Sequence, residues 1–129
     1  MAVNWKDLFK VKIANPDDSM MKHEVIKLMI VRKLMLKNKK DKNYLRIYTE
    51  QDLGDGKICD VYCENLRNKT AYAYEIQKSI TKEWKESILS KYKDWEVYGM
   101  NSADLIIIPI RELSDDLNIL NKELDKYIF

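Results

Sequence analysis

Residues 70–79 read TAYAYEIQKS, and the alternation in this stretch decides what the chain can build. Tyr72, Tyr74 and Ile76 alternate with Ala71, Ala73, Glu75 and Gln77. A strand repeats every two residues, so Tyr74, Ile76 and Lys78 share one face while Glu75, Gln77 and Ser79 share the other. The first face has the character of core. The second ends in a carboxylate and an amide, groups that are costly to bury unless something binds them.

Working outward, two further strand-like runs precede this one: YLRIYTE (44–50) and KICDVYCEN (57–65), separated by the turn DLGDG (52–56) and followed by the connection NLRNK (65–69). Their short spacing predicts an antiparallel meander. Downstream, residues 81–95 place Trp84, Ile88, Tyr92 and Trp95 on one stripe of an amphipathic helix. ADLIIIPI (103–110) is then a continuous apolar run. That pattern predicts a strand covered on both faces, reached by a helical crossover and ending near Pro109.

Upstream, after the cap-rich PDDS (16–19), residues 20–37 read MMKHEVIKLMIVRKLMLK, a helix apolar enough to be expected mostly buried. Ser114, with Asp115 and Asp116 in the first turn, begins a last helix over 114–129 whose stripe is Leu117, Leu120, Leu124 and Tyr127. Residues 1–15 carry Trp5, Leu8 and Phe9 at helical spacing before Pro16. The order is α, β, β, β, α, β, α, an α/β class, with no internal repeat or linker.

With 129 residues, 46% of them hydrophobic, the chain suits a single domain spanning 1–129 with one core. It contains no apolar run of about 18 residues or more, and MAVNWKDLFK is charged where a signal peptide would be apolar. A cytoplasmic protein without a membrane partner is expected. Cys59 and Cys63 lie about 13 Å apart along a strand, beyond disulfide reach, so reduced, buried thiols are expected. Neither forms a CxxC pair, and His23 is the only histidine, so structural zinc is not expected. The 23 basic and 21 acidic residues nearly balance, so overall charge neither favours nor excludes nucleic acid. Lys37, Lys39, Lys40 and Lys42 crowd LKNKKDKN (36–43), and Lys78, Lys82, Lys85, Lys91 and Lys93 recur around the amphipathic helix. Either a solvated face or a phosphate contact explains them.

A tight turn at Arg67 and Asn68 sets Glu64 opposite Ala71, Tyr62 opposite Ala73, and Asp60 opposite Glu75. Like charges so placed, with Cβ atoms about 5 Å apart, are destabilising, and a divalent cation between them is the economical remedy. Gln77 falls one step along the same face. A one-residue slip would separate the two acids.

These residues, ICDVYCEN (58–65), AYEIQKS (73–79), the helix and the apolar strand, resemble the PD-(D/E)XK nuclease superfamily over roughly residues 20–110. Within it the chain is most similar to small archaeal Holliday-junction resolvases and related viral nucleases, and to variants with E-x-Q-x-S on the third strand. The resemblance implies a restriction-endonuclease-like αβββαβ core, a mixed central sheet flanked by helices, with the C-terminal helix added. It implies an enzyme, a Mg²⁺-dependent (or Mn²⁺-dependent) DNA endonuclease that hydrolyses phosphodiester bonds and acts as a homodimer, with a structure-specific substrate such as a junction among the candidates. Asp60 and Glu75 take the places of the metal ligands. Gln77 takes the place of the usual lysine and Ser79 that of the variant's serine. Glu24, in line with Leu28, Val31 and Met35 and so expected to face inward, matches an acid many members direct toward the metal. Lys39, Lys40, Lys42, Lys78 and Lys82 are the candidate DNA contacts. Cys59 replaces a proline that does no chemistry, but Gln77 cannot supply a lysine's charge.

Plainer explanations stand beside each residue. Glu75 and Gln77 also suit the wet face of an edge strand, Asp60 a strand-end acid paired with lysine, and Glu24 an acid favoured by a helix N-terminus. His23 reads as a helix surface residue, Asp52 and Asp55 as turn formers, and Trp84, Tyr92 and Trp95 as core. The rival to catalysis is a nuclease-fold protein that binds nucleic acid or serves as a structural module or partner subunit without turnover.

Overall fold

In the computed structural model, residues 18–129 are described. Helix α1 (Asp18–Lys37) leads through a short 3₁₀ turn into strands β1 (Leu45–Asp52), β2 (Ile58–Asn65) and β3 (Thr70–Gln77), then helix α2 (Lys82–Lys91), strand β4 (Ser102–Pro109), and helix α3 (Leu117–Glu123) with a 3₁₀ extension over Leu124–Tyr127. The sheet has the order β1-β2-β3-β4. The first three strands are antiparallel neighbours, and β4 lies parallel to β3. The fold is therefore α/β with a four-stranded mixed sheet. The segment around Trp5, Leu8 and Phe9 lies outside the described residues. No helix among the described residues is long and apolar enough to cross a membrane.

The alternation along β3 divides the core as expected. Tyr74, Ile76, Val61 and Cys63 pack with Ile106 and Ile108 of β4 against Ile26, Ile30 and Leu34 of α1 and Leu120 and Leu124 from the C-terminal segment. Ala71, Ala73 and Tyr62 pack against Ile88 of α2 and Tyr92 just past its last residue, Lys91, with Trp84 and Trp95 at the margin. The run in β4 serves both layers, which is why it shows no alternation.

Local chemistry sets the element ends. The Thr81 hydroxyl accepts from the Trp84 amide and begins α2. The turn after β1 holds Gly54, Asp55 and Gly56 at positive φ, with Asp52 accepting from the Gly54 amide, so Asp52 and Asp55 form a turn. Both cysteines are free and buried, on opposite faces of the sheet. Burial pushes each thiol up to about 12, which leaves it protonated and unreactive.

Three expectations are corrected. Helix α1 is not mostly buried: Ile26, Lys27, Ile30 and Leu34 are, but Met35 and Leu36 are 57% and 59% exposed. The inward stripe is therefore not the line Glu24, Leu28, Val31, Met35, because a helix apolar all round leaves its buried face to be chosen by the sheet it meets. The last helix is capped by Asp116, which accepts from the amides of Asn118 and Ile119. Ser114 sits before it, bound to the Asp116 amide, and the regular helix is shorter than 114–129.

Candidate active site at the open end of β2 and β3

The β2–β3 register is the expected one: Glu64 faces Ala71 and Tyr62 faces Ala73. Asn65 closes the connecting turn by accepting from the amides of Arg67 and Asn68. The ladder ends at Val61 and Tyr74, one pair short of Asp60 and Glu75.

On the other side of β2, Thr49 pairs with Val61 and Gln51 with Cys59, but Glu50 and Asp60 between them do not pair. Glu50 has φ +51°, in the left-handed region that costs a side-chain-bearing residue about 1 kcal/mol or more. The interruption reverses the facing of both strands. Val61 and Cys63 face α1, whereas Cys59 faces α2; Leu45 and Ile47 face α1, whereas Leu53 faces α2. Both acids at the break turn toward α1. The Glu50 carboxylate meets Lys27, and Asp60 Oδ1 lies 3.2 Å from His23 Nε2. Asp60 Oδ2 accepts from the Ile76 amide at 2.6 Å, which binds β3 through a side chain where backbone pairing has stopped.

Glu75 points the other way. Its Oε1 accepts from the Tyr92 hydroxyl of the α2 layer at 2.9 Å, and Oε2 has no hydrogen-bond partner among the described residues. Asp60 and Glu75 are thus not adjacent on one face, as a flat ladder would have made them. They meet instead in a cavity of about 320 Å³ at the sheet's end, lined also by His23, Gln77 and Lys78. The amide of Gln77 and the ammonium of Lys78 have no partner among the described residues.

Electrostatics follow from this placement. Burial pushes Glu75 up to about 7, the negative charge of Asp60 adds to the rise, and the Tyr92 bond opposes it. His23 is raised above its ordinary value, foremost by its bond to Asp60, against the opposing effect of burial. Its other nitrogen, Nδ1, lies 3.3 Å from Glu24 Oε1, so the imidazolium satisfies a carboxylate at each end. Lys27 is buried. Burial disfavours its charge, but bonds from Glu50 and Glu24 outweigh that and hold the ammonium above its usual range. Asp60, His23, Glu24, Lys27 and Glu50 form one chain of alternating charge between α1 and the broken ladder.

Of the residues singled out from the sequence, Asp60, Glu75, Gln77 and Lys78 come together. Glu24 does not line the cavity; it pairs with Lys27 at 3.1 Å and touches the site through His23. Lys82 stands in the first turn of α2. Lys39, Lys40 and Lys42 lie beyond the far end of α1, about 20 Å along the helix from Glu24 at about 1.5 Å per residue. His23 is half-buried and lines the cavity, and Tyr92 is core with a polar tip in the site; neither role is written in the local sequence pattern. The one signal for Tyr92 is its hydroxyl at the inner edge of an otherwise apolar stripe.

Among the described residues, no group of three or more His, Cys, Asp or Glu side chains is placed to hold a metal ion. Mg²⁺ is usually held by only one or two carboxylates, with water and substrate phosphates completing its shell. Two carboxylates line the one cavity: both oxygens of Asp60 are engaged, and Oε2 of Glu75 is the uncommitted one. Comparison with protein-family models, curated proteins and solved structures finds no match to the chain.

Proposed function

We propose that the protein is a divalent-metal-dependent DNA endonuclease of the PD-(D/E)XK type, with Asp60 and Glu75 holding Mg²⁺ or Mn²⁺. The observation that carries this reading is the shared cavity of Asp60 and Glu75 at the open end of two adjacent strands. The order of elements supports it: an antiparallel meander, then a helical crossover to a parallel strand, agrees with the αβββαβ core the sequence resembles.

When bound, the cation supplies positive charge where negative charge develops on the scissile phosphate. The chain's own residues do the rest. The Ile76 amide and His23 orient Asp60, and the Tyr92 hydroxyl orients Glu75. Gln77 offers its amide to water or a phosphate oxygen. Lys78, at the cavity wall, and Lys82, in the first turn of α2, provide the cationic contacts that Gln77 cannot. A carboxyl of raised pKa beside a second acid is relieved by a cation, so binding and ionisation of Glu75 are coupled.

One observation favours the second reading, a nucleic-acid-binding or structural module without turnover: the position usually held by lysine carries Gln77. A cleavage assay on linear, nicked, flap and four-way DNA with Mg²⁺ and Mn²⁺ decides between them. Cation-dependent products that disappear in both Asp60→Ala and Glu75→Ala support the enzyme. Products that persist in either variant, or DNA binding indifferent to cation with no products, reject it.

A further inference from the structure

The end of the molecule away from the candidate site carries a second cavity, about 480 Å³, between the last turns of α1 and strand β1. Its walls are Val31, Met35 and Leu36 from α1 and Leu45 and Ile47 from β1, and its rim holds Lys39 and Lys42. The apolar side chains are not closed over, since Met35 and Leu36 are more than half exposed. Strand β1 is the edge of the sheet, paired only with β2 among the described residues. Its outer side presents backbone groups with no strand to receive them.

Charge narrows the occupant. Between Lys37 and Lys42 the chain has four lysines and one acid. That acid, Asp41, is held by Arg67 at 3.0 Å, and Lys37 reaches the Ile128 carbonyl. Lys39, Lys40 and Lys42 have no ion-pair partner among the described residues. We propose that this groove binds an extended acidic peptide of a partner protein, laid along the free edge of β1 with its apolar side chains in the groove and its carboxylates on the lysine rim.

The edge supplies main-chain hydrogen bonds, the alternate side chains of the peptide fill the groove, and the lysines select its charge. The lining separates this occupant from others. Nucleic acid would use the lysines but leave five apolar side chains wet. A second copy docked groove to groove would bring two sets of Lys39 and Lys42 together. The inference does not rest on the nuclease reading, because the groove shares no residue with the cavity of Asp60 and Glu75; it gives Lys39 and Lys42, candidate DNA contacts in the sequence, to a peptide instead.

The test is an amide-shift titration of the isotopically labelled full chain with a synthetic peptide of about twelve residues alternating leucine and glutamate, a span matched to an edge strand. Shifts confined to Val31–Asp52, the wall of the groove and the edge strand, support the proposal. So do their loss in Leu36→Asp, a weakening of about tenfold in Lys39→Glu with Lys42→Glu, and silence toward a leucine–lysine peptide. Leu36 is exposed, so circular dichroism of that variant should match the parent. No shifts, or shifts elsewhere, overturn the proposal. So do shifts of these amides with a short DNA duplex but not the peptide, and shifts that grow with protein concentration alone.

Discussion

His23 Nε2 lies 3.2 Å from Asp60 Oδ1, while the other oxygen of that carboxylate holds the Ile76 amide. One acid therefore ties a helix of one layer to the strand beneath it at the point where the ladder has opened. His23→Gln removes the charged partner and should cost about 1.5–3 kcal/mol, the range for a hydrogen bond to a charged group. Because the folded-state pKa of His23 is raised, its contribution is complete below the unfolded value of about 6.5 and is lost as pH rises through the folded value. The gap between the urea midpoints of the parent and His23→Gln should therefore narrow as pH rises through that range, over and above any decline the two proteins share. Parallel pH curves for the two proteins would contradict the assignment.

Glu75 acts with the same sign but separates by substitution. Its pKa is raised to about 7, so the folded state is favoured while the carboxyl is protonated, and stability falls as pH rises from about 4.5 through about 7. In metal-free protein at pH 8, Glu75→Gln should be more stable than the parent by about 1–2 kcal/mol, discounted for the solvent that still reaches the group. Added Mn²⁺ should then raise the melting temperature of the parent but not of the variant. An equal rise in both would place the cation elsewhere.

Much of the fold was legible because its residues state their environment twice. Tyr74 and Ile76 alternate with Ala71 and Ala73, and the turn at Asn65 fixes one register for all of them. Trp84 and Ile88 keep the stripe of α2, Tyr92 and Trp95 join the same cluster although the helix stops at Lys91 rather than 95, and the unbroken run in β4 announces cover on both faces. The buried face of α1 was not legible, because Leu28, Val31 and Met35 are as apolar as Ile26, Ile30 and Leu34, and only contact with the sheet distinguishes them. The break at Glu50 and Asp60 was invisible for another reason. It depends on Lys27 and His23 meeting those acids across layers, and no local pattern encodes a partner so distant in sequence.

Tyr92 links the α2 core to the candidate site through a single bond of 2.9 Å to Glu75. Tyr92→Phe keeps the ring, which packs edge-on against Trp95, and deletes only the hydroxyl. A cost near 1 kcal/mol is expected. The same bond opposes the rise of the Glu75 pKa, so the carboxyl should titrate higher in the variant, and cation binding at fixed pH should weaken with it. A carboxyl-carbon chemical-shift titration measures the first effect and Mn²⁺ calorimetry the second. An unchanged Glu75 titration would mean the hydroxyl does not hold the carboxylate in solution.

Lys27 is the buried centre of the alternating chain, 3.1 Å from Glu24 and bonded also to Glu50. Removing one partner of a fully buried pair costs about 3–5 kcal/mol, but the Glu50 side chain is 59% exposed and can hydrate. Lys27→Met, which fills the same space without charge, should therefore cost only about 1–3 kcal/mol. The nearby cation lowers the pKa of His23, so its removal should raise that value further while Asp60 stays anchored by the Ile76 amide. Imidazole proton shifts followed against pH decide the matter. A fall toward the ordinary histidine value would instead mean that losing Lys27 lets Glu50 leave its left-handed conformation, the ladder close, and Asp60 swing away from His23.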